Sequence, residues 1–210
     1  MSKILVMISG KMQSGKNTLA NLIIDELTKS KIKVGYDFFA KPVKDQCKEI
    51  FRPLENYLNT LSTKYSIEEL YTDDDNWYED KNEITRILLQ TYATEIFRNE
   101  VDVDYWAKLL VKNYKANIND VLCITDWRFR NEIEVVKKEN INHITIRVNR
   151  PSVKRDSEKD KHQSEIDLDS YNMFDFEINN TDFDSLQNNA KLISNEIIKK
   201  INWHKSWYCI

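Results

Sequence analysis

Glycine is the scarcest informative residue in this chain. There are three, Gly10, Gly15 and Gly35, in 210 residues, where average usage would give about fifteen. A chain so sparing of glycine has a backbone reason for placing two of them five residues apart. Cysteine is also rare: Cys47, Cys123 and Cys209 are odd in number, widely spaced and without a C-x-x-C pair. That pattern excludes a disulfide scaffold, argues against a zinc site, and leads us to expect a reduced, cytoplasmic setting. No apolar run approaches the roughly 18–20 residues that cross a bilayer, and Ile4-Leu5-Val6-Met7-Ile8 is too short for the core of a signal peptide. Charge of one sign is lacking as well. With 31 Lys and Arg against 34 Asp and Glu, the chain has no basic excess of the kind a general nucleic-acid binder shows. At 41% hydrophobic and 11% aromatic residues, it is not a disordered chain either.

What is there reads as alternating strands and helices. Residues 4–8 form a buried strand, Thr18 to Ser30 a helix with Leu19, Leu22, Ile23 and Leu27 at helical spacing, and 33–40 a second strand with its exit. Pro42 opens another helix, residues 53–82 read as helical with a polar loop, and 83–98 and 105–114 as two further helices. Short apolar strands recur at 121–126, 143–148 and 176–178, separated by a helix over 131–138 and followed by a terminal helix over 183–201. This order predicts an α/β fold, a parallel sheet flanked by helices in three layers, within one domain spanning 1–210. A helical insertion at about 41–115 and a lid at about 149–165 complete the expectation.

The two spaced glycines lie in Gly10-Lys11-Met12-Gln13-Ser14-Gly15-Lys16-Asn17-Thr18, between the first strand and the first helix. The spacing fits the phosphate-loop pattern G-x-x-x-x-G-K, with Asn17 where Ser or Thr is usual. Glycines let successive backbone N–H groups curl around an anion, and the helix N-terminus adds its positive end. Lys16 brings a point charge to the β- and γ-phosphates. The residue after that lysine normally gives a hydroxyl to Mg²⁺; Asn17 does so poorly, which points to Mg²⁺ held largely through water, with Thr18 on the α-phosphate. A Lys-x-Thr arrangement favours a small-molecule or nucleotide kinase over a switch GTPase.

Asp126 ends a buried strand, where phosphate-loop proteins place a second Mg²⁺-organising carboxylate, and Arg128 and Arg130 follow it. Arginine suits phosphate because its planar fork binds oxygens in pairs. Arg86, Gln90, Thr94 and Arg98 recur every four residues, a polar stripe of donors suited to a phosphate and a base edge. The segment Arg147–Glu165 carries Arg147, Arg150, Lys154, Arg155, Lys159, Lys161 and His162, the makings of a lid that excludes water and supplies an arginine. Plainer readings stand beside these: Asp126 as a helix cap, the stripe as a solvated face, the basic segment as a solvated loop.

Taken in order, Ile8-Ser9-Gly10-Lys11 through Thr18, Phe39-Ala40-Lys41-Pro42-Val43-Lys44, Arg86 to Gln90 with Thr94-Glu95 and Arg98, Trp106, Ile124 to Glu132, and His162-Gln163-Ser164-Glu165 resemble the phage-type deoxynucleoside monophosphate kinases. These are a branch of the phosphate-loop nucleotide kinases. The resemblance implies γ-phosphoryl transfer from ATP, with Mg²⁺, to the 5′-phosphate of a deoxynucleotide. It implies that Gly10, Gln13, Ser14, Gly15, Lys16, Asn17 and Thr18 hold ATP, with Asn180 near the adenine. Lys11, Phe39, Lys44, Arg86, Gln90, Thr94, Arg98, Trp106, Asp126, Arg128 and Glu132 would hold the monophosphate. Lys16, Arg128 and Arg150 would be catalytic, Arg150 or Arg155 closing from the lid, and Asp126 would serve the metal through water. Ala93 stands where the family often has Gly, and Trp127 where it usually has a small aliphatic residue; both are expected to reshape the base pocket. No nucleic-acid or membrane partner is expected, and the chain would act as a monomer or homodimer. A kinase for another phosphorylated metabolite or dephospho-coenzyme A, and a nucleotide switch or ATPase without a second substrate, are the alternatives.

Overall fold

The computed structural model describes residues 3–47, 49, 89, 91–153 and 163–207, with the backbone alone for 204–207. Five strands, β1 (Ile4–Ser9), β2 (Val34–Asp37), β3 (Val121–Ile124), β4 (His143–Asn149) and β5 (Phe176–Asn179), form one parallel sheet in the order β2-β3-β1-β4-β5. The helices are α1 (Lys16–Lys29), α2 (Tyr105–Ala116), α3 (Arg130–Lys138), the single turn α4 (Gln163–Ile166) and α5 (Phe183–Trp207). The expected α/β sheet is therefore present, each strand within a residue or two of its predicted place.

Every residue of β1 is buried, as a central parallel strand covered on both faces must be. Ile4, Val6 and Ile8 point into a core shared with Leu19, Ala20, Ile23 and Leu27 of α1 and Leu186, Ala190, Ile193 and Ile197 of α5. Leu5 and Met7, one residue out of phase, face the opposite layer. Burial also silences the thiols: Cys47 and Cys123 are both pushed up to about 12.

Strand order decides where a ligand can sit. From β1 the chain crosses to the far edge at β2, returns beside β1 at β3, and then lays β4 on the other flank. The carboxyl end of β1 is thus a switch point, where open parallel sheets leave a crevice. The loop 10–15 occupies it.

By contact density the chain falls into two compact units, Met1–Phe39 with Leu110–Ile210, and Ala40–Leu109. In the second, residues 40–47 are helical, as Pro42 predicts. Thr91–Val101 is π-helical, where the sequence predicts an ordinary helix ending at 98, and Asp102 continues its i→i+5 bonding by donating to Phe97 O at 2.8 Å. That bonding brings residues five apart onto one face, and Tyr92 and Phe97 accordingly pack with ring centres 4.8 Å apart and planes tilted by 52°. A widened turn also breaks the four-residue register of the polar stripe. Residues 53–82, 83–88, Arg86 and Gln90 lie outside the described residues. Among those described, no helix is long and apolar enough to cross a membrane.

Candidate active site

The loop after β1 has the backbone of an anion cradle. Gly10 (φ 155°), Gln13 (φ 61°) and Gly15 (φ 98°) all adopt positive φ, conformations that cost a side-chain-bearing residue energy. Gly10 is further confined: a Cβ there would lie 2.4 Å from Val148 O and 2.6 Å from Ser14 Oγ. The Ser14 hydroxyl is fully buried without a hydrogen-bond partner among the described residues, an orphaned polar group of the sort a bound phosphate satisfies. Lys16 opens α1, and its Nζ donates to Gly10 O at 2.6 Å and Lys11 O at 2.7 Å, holding the ammonium across the loop. Asn17 and Thr18 are exposed on the first helical turn.

Three further cations reach this loop from other elements. Arg128 Nη1 lies 3.5 Å from Gly10 O and 2.8 Å from Glu165 Oε1. Arg150, just past β4, approaches Gln13 O at 3.4 Å. Arg147, on β4, donates to Ser9 Oγ at 3.0 Å and to Asp169 Oδ1 at 2.7 Å. Burial pushes its guanidinium below the usual value, and Asp169 works in the opposite direction. Lys11 pairs with the other Asp169 oxygen at 2.7 Å. Lys11, Arg147, Arg150 and Asp169 border a cleft of about 470 Å³ whose apolar lining includes Tyr171 and Phe174.

Several expected ligand contacts have other employment. Asn180 is buried, and its amide donates to Ser14 O at 2.8 Å while its backbone N–H bonds Asn149 O at 2.7 Å. It braces the loop from behind instead of presenting an amide to a base. Replacing it with alanine strands the Ser14 carbonyl, a loss of about 1–3 kcal/mol. For Asn180→Ala we expect a Tm lower by roughly 2–4 °C per kcal/mol and a raised KM for ATP; unchanged melting would contradict the bracing role. Glu132 is turned inward, its Oε2 accepting the N–H groups of Arg128 and Phe129, both at 3.0 Å. It caps α3 and fixes the Arg128 backbone, so the expected contact with substrate has burial against it. Asp126 is not the cap of α3; its Oδ1 accepts the Phe39 N–H at 2.9 Å. The Phe39 side chain is itself buried, leaving its backbone as the part that touches the site.

In the second unit, Trp106 is 3% exposed, with its indole N–H on Ala93 O at 3.0 Å and Tyr92, Phe97 and Tyr105 around it. It is a core residue of that unit, a placement its aromatic neighbours in sequence foreshadow. Lys44, Thr94 and Arg98 are half-buried there. Trp127 is fully buried, bonded to Phe129 O and packed edge-on against Tyr171 and Phe174. Its size is absorbed by the core beneath the site. Asp169, which pairs with Arg147 and Lys11 beside the loop, is missing from the candidate residues of the sequence, whereas Arg147 and Glu165 stand there as a member of the basic segment and as the end of the run 162–165. The acidic alternation Glu165-Ile166-Asp167-Leu168-Asp169 beside a basic segment was the available signal. Of the expected lid, residues 154–162, with Arg155, lie outside the described residues.

The family model for deoxynucleotide monophosphate kinases matches residues 55–190, well over half of the sequence. The chain belongs to the deoxynucleotide monophosphate kinase family. Its reaction is the ATP-dependent phosphorylation of deoxynucleoside monophosphates, which decides against the metabolite-kinase and switch alternatives. The matched segment begins after the phosphate loop, so loop and family match are independent observations. No curated protein matches the kinase in sequence. Among solved structures it is similar to the crystal structure of APE1195, at 14% identity and a TM-score of 0.42, over 95% of this chain and 97% of that one. It is also similar to the shikimate kinase of Bacteroides thetaiotaomicron, at 12% identity and a TM-score of 0.42, over 92% and 98%.

Proposed function

We propose that the loop 10–18 of this deoxynucleotide monophosphate kinase holds the ATP phosphates and that Lys16, Arg128 and Arg150 neutralise the charge of the phosphoryl group in flight. The observation that carries this reading is their convergence: Gly10 O receives both Lys16 and Arg128, and Gln13 O receives Arg150. Three cations from three separate elements meet one glycine-bearing loop. An anionic phosphate outbids neutral carbonyls for such donors, because charge-assisted hydrogen bonds are about twice as strong. The buried Ser14 hydroxyl fits the same ligand.

No protein nucleophile is needed. An oxygen of the acceptor phosphate attacks, and the chain's work is alignment and electrostatics. Lys16 spans the loop, Arg128 is held in place by its pairing with Glu165, and Arg150 approaches from the strand end. Lys11 and Arg147 add positive charge along the cleft.

Among the described residues, no three His, Cys, Asp or Glu side chains gather to hold a metal by themselves. One carboxylate suffices for Mg²⁺, which keeps several waters and takes its other ligands from substrate phosphates. Asp126, at the carboxyl end of β3, is that carboxylate, acting through water. When bound, the ion would offset the charge that develops on the phosphates. We expect excess EDTA to abolish turnover and added Mg²⁺ to restore it. Asp126→Asn is expected to need more Mg²⁺ for half-maximal rate and to lose about tenfold or more in kcat. Full activity in excess EDTA would contradict the assignment.

A further inference from the structure

The run Glu165-Ile166-Asp167-Leu168-Asp169 spends its alternation in an ordered way. Leu168 is buried, and each carboxylate meets a different basic residue. Asp167 accepts the backbone N–H of Arg130 at 2.8 Å, while the Arg130 guanidinium donates to the Asp167 carbonyl at 3.1 Å. Asp169 holds Arg147 and Lys11 together. Glu165 takes Arg128. Three of these four basic residues border the phosphate loop or its cleft.

Glu165 stands apart from the others. Its side chain is 7% exposed, one oxygen meets Arg128 at 2.8 Å, and the other, Oε2, is buried with no hydrogen-bond partner among the described residues. Buried carboxylates are costly and are ordinarily saturated with donors. If anchoring the 163–166 turn were the whole task, a well-packed apolar residue would do as well. A single contact through Arg128 Nη1, shared with Gly10 O, does something different: it pins the guanidinium at the entrance of the loop while sparing an acceptor.

We infer that Glu165 is a positioning residue for phosphoryl transfer, holding the Arg128 guanidinium against the phosphate loop. The unused Oε2 accepts a second guanidinium N–H when Arg128 turns onto a phosphate oxygen, so the arginine changes its aim without losing its counter-ion. The fork geometry of arginine permits this, and that of lysine does not. The inference rests on the proposed role of Arg128 in handling phosphate.

A double-mutant cycle tests it, with Glu165→Gln, Arg128→Ala and the pair assayed for kcat and for KM of ATP below the melting point of each. Arg128→Ala is expected to lose about 10²-fold or more in kcat. Glu165→Gln should lose at least about tenfold in kcat with KM for ATP changed less than about threefold, the signature of an interaction expressed in the transition state. The double variant should be no slower than Arg128→Ala by more than about twofold, because the two residues act as one unit. Fully additive losses, or an unchanged kcat in Glu165→Gln, would overturn the inference while leaving Arg128 in its role. A near-normal Arg128→Ala would overturn that role, and the inference with it. If Glu165→Gln does not fold, Glu165→Asp keeps the charge while withdrawing it by one methylene, and carries the same cycle with the same outcomes.

Discussion

Replacing Lys16 with alanine is expected to lower kcat/KM at least 10²-fold while leaving the protein folded. The ammonium bonds the Gly10 and Lys11 carbonyls, and water can take its place at this half-buried position, so a small change in stability is expected. Turnover is another matter. On the proposed reading the Lys16 charge acts on the phosphoryl group in flight, and losing one donor preorganised for a transition state costs about 2.7–4 kcal/mol. Steady-state kinetics paired with a thermal melt separate the two effects. A variant with wild-type melting and near-normal turnover would remove Lys16 from the chemistry.

The second large effect belongs to Gly10. Gly10→Ala is expected to damage stability and activity together, because the obstruction is backbone. The new methyl would meet Val148 O at 2.4 Å and Ser14 Oγ at 2.6 Å, at a φ of 155°. Val148 lies in β4, and β4 is paired to β1 through Ser9 and Arg147, so neither side can yield without disturbing the sheet. Strained backbone of this kind costs of order 1–3 kcal/mol, and displacing packed neighbours adds a similar amount. For a chain of this size about 3 kcal/mol corresponds to a Tm lower by roughly 6–12 °C. Activity should fall further than the folded fraction does, since the displaced residues are the loop itself. A Gly10→Ala protein that melts and turns over as wild type would show that the loop is not confined as described.

How far the sequence carried these conclusions depended on the range of the interactions involved. The β1–loop–α1 unit was legible because its signals are local: an unbroken apolar run, two glycines where glycine is otherwise withheld, and helical spacing from Leu19 onward. The remaining strands were legible for the same reason. The π-helix at Thr91–Val101 was not, since apolar recurrence does not separate a turn of 3.6 residues from a wider one; the packing of Tyr92 on Phe97 only becomes visible in three dimensions. Trp106 and Asn180 were read as ligand contacts from their place in an ordered set. Both are buried, one in an aromatic cluster and one behind the loop, and burial depends on partners 13 and 166 residues away. The counter-ion Asp169 escaped for a related reason. Asp169 pairs with Lys11 across 158 residues, and nothing local to either marks the other.

The measurement that tests the account most directly is formation of ADP from ATP and Mg²⁺, with dAMP, dCMP, dGMP, dTMP and their ribonucleotide counterparts supplied one at a time. ADP release should rise strongly with one or a few of the deoxynucleotides, the matching deoxynucleoside diphosphate should appear in equal amount, and Lys16→Ala should abolish both. Slow ADP release that no deoxynucleoside monophosphate stimulates, and that survives Lys16→Ala, would contradict the account at its centre.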